Sequence, residues 1–320
     1  MDAAPSSKRP RTDDEPLSLT RSNIWYSDGS VVLQAESTQF RVHASILSAG
    51  STVFKDMFQV AQAPSNFDSQ VEGCPLVQLY DDTAHDVEHV LGALYDRNFY
   101  KHYKKPFMVV SAMLRLGQKY EFDELRDDAM MRLESFFPPT LAAFKIRGGF
   151  LSKIVEYPGL PYDAINLARQ TGLLSILPAA LYSASAFPSA VIDIHRNILS
   201  GLAGADGKLV HLSPGDKATC ILATSTLLAK QWAGPYSWVD APGEAGISHH
   251  HCLSGVETIR RTKFLREPSL IGIGAKSVTG GVLCPTCEAL AQGIITTEEF
   301  KLWDELAELF GLVSWAEIRK

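Results

Sequence analysis

QFRVHASILSAGSTVFKDMF, residues 39–58, changes its hydrophobic period partway along. Phe40 and Val42 alternate with Arg41 and His43, the pattern of a strand with one buried face. Beyond His43 the apolar positions fall at helical spacing: Ile46 and Leu47, then Val53, Phe54, Met57 and Phe58. Ser45 is placed to cap a first short helix and Gly50 to end it, while Ser51 is placed to cap a second. A histidine among serines also raises nucleophilic chemistry. Neither an acid nor an oxyanion signal accompanies it, and the chain contains no G-x-S-x-G elbow. The stretch predicts a strand ending at His43 and turning into two short helices.

On the N-terminal side, Val31, Leu33 and Ala35 share one face of an extended segment. Glu36-Ser37-Thr38 reads as a turn joining it to Phe40–Val42 in a hairpin. On the C-terminal side, Leu76–Tyr80 alternates again and predicts a third strand. Three amphipathic helices come next. Thr83 caps the first, which carries Val87, Val90, Leu91 and Leu94, and Pro106 opens the second, with Phe107, Val110 and Leu116. The third places Phe122, Leu125, Ala129, Leu133 and Phe136 on one face. Pro138-Pro139 stops the pattern, so the first domain is expected over 21–137, after a disordered tail at 1–20. Residues 140–320 show no convincing strand alternation and predict a mainly helical region. It has a helix pair at Tyr162–Thr171 and Leu173–Ser185 broken by Gly172, and a helix Asp216–Trp232 capped by Ser213. A last helix, Thr296–Phe310, opens on Thr296-x-x-Glu299 as a capping box. The fold class is α+β followed by α-helix.

The bulk properties narrow the functions. With 320 residues, 46% hydrophobic and 21% charged, the chain can build a sizeable core. A net charge of −6 argues against direct nucleic-acid binding, which needs concentrated Lys and Arg. Five cysteines leave one unpaired and suit a reducing compartment. The N-terminus has no apolar signal core, and the most apolar run, Gly172–Ala186, is too short and broken by Pro178, so no membrane insertion is expected. An intracellular protein is expected, nuclear or cytoplasmic, with Lys8-Arg9-Pro10-Arg11 as a weak import signal.

The order hairpin, two short helices, strand and three helices resembles the BTB/POZ domain. The residues that carry the resemblance are Val31-Val32-Leu33 and the series Phe40, Val42, His43, Ile46, Leu47, Ala49, Ser51, Phe54, Met57 and Phe58, within residues 23–137. Ile24-Trp25-Tyr26 with Asp28-Gly29-Ser30 resembles the opening of BTB proteins abundant in mushroom-forming fungi. So do Leu174 to Tyr182, Cys284-x-x-Cys287 and Phe310-Gly311-Leu312 with Trp315, which extend that resemblance to the C-terminus. It implies a non-enzymatic protein-interaction module that forms homodimers or recruits partners. Within the family some members act in transcriptional regulation and others as substrate adaptors of cullin-type ubiquitin ligases. The chain departs from many animal members at Ser30, where they have Asp, and at Ala44, where they have a basic residue. It also lacks a hydrophobic-x-Glu signature within Phe58–Val71. An apolar dimer edge is expected near Trp25, Val31 and Leu33.

Three other strings carry candidate chemistry. His85-Asp86-Val87-Glu88-His89 has the H-x-x-E-H form of a zinc hydrolase, but the apolar stripe of its helix points elsewhere. Cys284-Pro-Thr-Cys287 has the spacing of a zinc knuckle. Cys252 and a neighbouring histidine, His251 or its neighbours His249 and His250, are placed to complete a structural site. No other cofactor is expected. Gly272-x-Gly274-Ala275-Lys276-Ser277 echoes a phosphate loop but has Ala275 where the template needs glycine. The aromatics Trp232, Tyr236, Trp238, Trp303 and Trp315 are expected in the core.

Overall fold

Val31–Ala35 and Thr38–Val42 form strands β2 and β3, a hairpin in which Val31 faces Val42 and Leu33 faces Phe40. The tight turn between them puts Glu36 at φ 50°. These assignments come from a computed structural model that describes residues 19–60, 69–96, 98–99, 103–186, 189–261, 269–271, 273 and 279–318. Strand β1 (Thr20–Trp25) lies parallel to β3. Strand β5 (Cys74–Leu79) lies parallel to β2 and is flanked by the two-residue β4 (Gln70–Val71). The sheet order is β1-β3-β2-β5-β4. β2 is therefore paired on both edges and covered on both faces, which suits the unbroken run Val31-Val32-Leu33.

After β3 the chain turns into α1 (Ala44–Gly50) and α2 (Thr52–Val60). The N-cap position of α1 is His43, not Ser45, and its side chain makes no capping bond. The ring is engaged instead by Tyr95 and Asp28. Ser51 does cap α2: its hydroxyl accepts from Phe54 N at 3.0 Å and donates to the carbonyl of Tyr120. Both halves of the hydroxyl are thus satisfied, so the side chain can be buried without loss. Thr83 caps α3 (Ala84–Tyr95) by accepting from Asp86 N. Helices α4 (Phe107–Tyr120) and α5 (Asp123–Phe136) come after it, and α5 stops immediately before Phe137-Pro138-Pro139.

The chain forms two compact units. One holds the residues up to Phe99 together with Lys119–Asp123, and the other holds Tyr100–Gln118 and Glu124–Lys320. The division thus passes through α4 and α5, whereas the sequence breaks at Pro138-Pro139. The core of the first unit gathers Val32, Leu33, Phe40, Leu47, Phe54 and Leu91, all at 2% exposure or less. Phe54 stacks on Tyr120 with ring centroids 4.8 Å apart and tilts against Phe122 at 5.8 Å. Burying each such ring contributes about 1.5–3 kcal/mol. Asp82 is buried beside them and accepts from Tyr120 OH and from Lys119 Nζ.

The second unit is helical: α6 (Leu141–Ile146), α7 (Leu160–Thr171), α8 (Leu177–Ser185), α9 (Val191–Ser200), α10 (Pro214–Ala233), α11 (Ser237–Asp240), α12 (His250–Ile259), α13 (Pro285–Asp304), α14 (Leu306–Leu309) and α15 (Trp315–Ile318). Two small strand pairs also occur there: β6 (Ser189–Ala190) with β9 (Ser269–Leu270), and β7 (Leu202–Ala203) with β8 (Leu209–Val210). α7 ends at Gly172 in the left-handed region, φ 73°. α8 is buried along its whole length, as its Pro-Ala-Ala-Leu composition allows. The expected helix at Thr296 is corrected. α13 begins at Pro285, and Thr296 lies in its middle, because no proline interrupts the run and a capping-box spacing alone does not start a helix. Glu299 is instead buried and paired with Lys145 at 2.5 Å. Trp238, Trp303 and Trp315 are in the core as expected, with Trp303 and Trp315 stacked at 5.9 Å. Among the described residues, no helix is long and apolar enough to cross a membrane.

Candidate functional site

His43 sits where β3 passes into α1, and each ring nitrogen has a partner. Tyr95 OH accepts the backbone N–H of His43 at 2.8 Å and lies 3.1 Å from Nδ1. The Asp28 carboxylate, 3.3 Å from Nε2, can only accept, so Nε2 carries a proton and in the neutral ring Nδ1 accepts the Tyr95 hydroxyl proton. The hydrogen bond from His43 holds the Asp28 carboxyl below its ordinary pKa. Tyr26 stacks on Tyr95 at 4.7 Å, closing the cluster. Neither nitrogen faces a serine, so the ring works as a brace between strand and helix. Ser30 and Ala44, which differ from many animal BTB domains, touch here: the Ser30 hydroxyl accepts Ala44 N–H at 3.0 Å. A neutral hydrogen bond stands at this corner. Of the other signature residues, Phe40, Leu47, Ser51 and Phe54 are buried, and Phe58 is partly buried.

The expected interaction residues divide. Val31 and Leu33 are corrected, since each is 1% exposed on the central strand β2 and offers no surface to a partner. Their apolar alternation marked the core face, and sequence alone does not tell a core face from a docking face. Trp25 lies on β1, which pairs with β3 on one side and is the edge of the sheet on the other. It is partly buried, with the Arg21 guanidinium 4.5 Å above its ring, and Leu19 beside the strand is exposed.

His85 and His89 lie one turn apart on α3, Nε2 to Nε2 3.0 Å, with His85 and Glu88 exposed. Desolvation first, then the neighbouring His85, lowers the His89 pKa. Among the described residues these side chains do not form a three-ligand group. The phosphate-loop echo falls on Gly272 and Gly274–Ser277, outside the described residues, as does Lys8-Arg9-Pro10-Arg11.

A different set converges. The ligand atoms of His249, Cys252, Cys284 and Cys287 all lie within 4.8 Å of one another. His249 Nδ1 is 3.3 Å from both Cys284 Sγ and Cys287 Sγ. Cys284 N–H donates to Cys252 Sγ at 3.3 Å. Two elements supply the four groups. His249 and Cys284 occupy the N-cap positions of α12 and α13, and Cys252 and Cys287 lie in the first turns of those helices. Cys252 and Cys287 are buried, Cys284 is half-buried and His249 is exposed. The backbone hydrogen bond at Cys287, with smaller contributions from Cys252 and His249, lowers the Cys284 pKa to about 6, whereas desolvation raises Cys287 to about 11. His251, the expected fourth ligand, lies outside this four-residue group. Its ring nitrogen Nε2 lies 3.4 Å from Cys252 Sγ, and the residue is exposed. The spacing that pointed to His249 was present in the sequence, because His249-x-x-Cys252 repeats the interval of Cys284-x-x-Cys287.

Residues 20–136 match the family model of the BTB/POZ domain. This segment holds the five-stranded sheet and helices α1 to α5, and the helical region lies C-terminal to it in the chain. No curated protein and no solved structure matches the chain.

Proposed function

We propose that the BTB/POZ domain of this chain associates with a second copy of itself, using the β1 edge as part of the contact. Such domains are protein-protein interaction modules, and the observation that supports self-association here is the placement of β1. It is a six-residue edge strand whose outer backbone groups have no strand partner among the described residues. An edge of this kind is a template for pairing with another chain. Trp25 and the exposed Leu19 add apolar area beside it. Twofold pairing is the commonest assembly for a self-complementary edge. Family members also recruit transcriptional partners or a cullin scaffold, and either role is compatible with a dimer.

Light scattering of the full chain at micromolar concentration tests the proposal. A dimer is expected. Trp25→Asp is expected to give a monomer whose far-ultraviolet circular dichroism is unchanged. A wild-type monomer overturns the proposal. Affinity purification of the same chain then separates the further roles: co-purification of a cullin favours the adaptor, and co-purification of transcriptional proteins favours regulation.

A further inference from the structure

We propose that His249, Cys252, Cys284 and Cys287 bind one structural zinc ion that clamps the start of α12 to the start of α13. Three thiols and an imidazole are a donor set for zinc. Bond lengths of roughly 2.3 Å to sulfur and 2.0–2.1 Å to nitrogen put the donors of a tetrahedron about 3.5–3.8 Å apart. The four donors all lie within 4.8 Å of one another, about 1 Å from that spacing at most, and His249 Nδ1 is already 3.3 Å from two of the sulfurs.

Simple packing and redox chemistry both fit the geometry less well. Cysteines serving only as small apolar residues would pack among Ile247, Val256, Leu283 and Ala291, as Cys252 and Cys287 partly do. That role gives no reason for an exposed imidazole to turn one nitrogen toward two sulfurs. A redox pair at Cys284 and Cys287 would use two of the four groups and leave His249 and Cys252 without a purpose. The three cysteines of the cluster are free of disulfides, and Cys220 and Cys74, the other two in the chain, are buried elsewhere.

The surroundings are built for the approach. Gly255, one turn after Cys252, faces the segment leading into Cys284, and a Cβ there would meet Val282 O at 2.6 Å. Gly280 and Gly281, at φ 58° and 78°, turn the chain just before that segment. The Cys284 N–H donated to Cys252 Sγ is an outer-shell bond that orients the sulfur and spreads thiolate charge. Four protein donors complete the tetrahedron and leave no open position for substrate, so the site is structural. On binding, Zn2+ replaces the protons of the three thiols, which pass to solvent, and no oxidant is involved.

The full chain, purified without chelator, is expected to carry one zinc per chain by elemental analysis. Cobalt titrated into the reduced, metal-stripped chain should give the intense ligand-field and thiolate charge-transfer absorption of a tetrahedral sulfur site. His249→Ala and the double variant Cys284→Ser with Cys287→Ser should lose both signals, whereas His251→Ala and His85→Ala should keep both. Absence of zinc with no uptake of zinc or cobalt by the wild type overturns the proposal. So does retention of metal by His249→Ala with loss in His251→Ala. The cobalt titration decides the matter even if a cysteine variant does not fold.

Discussion

His43 shows how a residue that looks catalytic in sequence can be committed to structure. Tyr95 is the hub: its hydroxyl takes the backbone N–H of His43 and returns its own proton to the ring. Replacing Tyr95 with Phe keeps the stack on Tyr26 but removes both hydrogen bonds. The site is half-buried, so water partly replaces them, and the expected loss is about 0.5–1.5 kcal/mol, toward the lower end of what a buried orphan would cost. Urea unfolding of Tyr95→Phe measures this, and an unchanged midpoint would contradict the bracing role. The Ser-His vocabulary of residues 43–51 was fully legible in the sequence. What was not legible was the partner of each ring nitrogen, because Asp28 and Tyr95 lie 15 and 52 positions away in the chain.

At the scale of elements, local signals sufficed wherever they had a local cause. Thr83, Ser51 and Ser213 cap the helices that their position announced, and Gly172 ends α7. They failed where tertiary packing intervened. Asp128 carries no local signal of burial, yet it is bound to the buried Arg132 at 2.7 Å, which also donates to the Tyr103 carbonyl. Thr296 lies inside α13 for a similar reason, since the packing of Ile295, Glu299, Leu302 and Trp303 carries the helix through it. The α12 to α13 joint gives a prediction of this scale. Gly255→Ala gains about 0.8–1.0 kcal/mol of helix propensity but forces a Cβ into the Val282 carbonyl, an overpacking cost of typically 1–3 kcal/mol. The clash should win. The variant is expected to unfold at lower denaturant and to release zinc to a chelator faster than wild type, and greater stability would show that the segment moves aside.

For the whole molecule, tyrosine titration reports on both units. Burial raises the pKa of Tyr95, Tyr120, Tyr157, Tyr162, Tyr182 and Tyr236, six of the ten tyrosines. Above a pH of about 10 the unfolded chain releases these protons while the folded chain keeps them. Stability is therefore expected to hold up to that pH and fall as pH rises beyond it. Absorbance at alkaline pH should show these six tyrosines ionising only together with loss of circular dichroism. Ionisation of these six while the fold persists would contradict the burial.

The sequence by itself determined the periodicities, and with them the hairpin, the helices of residues 44–136, the helical character of residues 140–320 and the α+β class. These arise from neighbouring residues, whose side chains must share a face with a fixed repeat of two or 3.6 positions. It also supplied the CxxC pair. Tertiary structure alone decided that Val31 and Leu33 face the core while Trp25 lies on an edge strand, because the same apolar stripe serves either purpose until a sheet order is set. It also picked His249 from three consecutive histidines, since the N-cap position of α12 brings that ring to the three cysteines whereas His251, two residues on and inside the helix, lies outside the group.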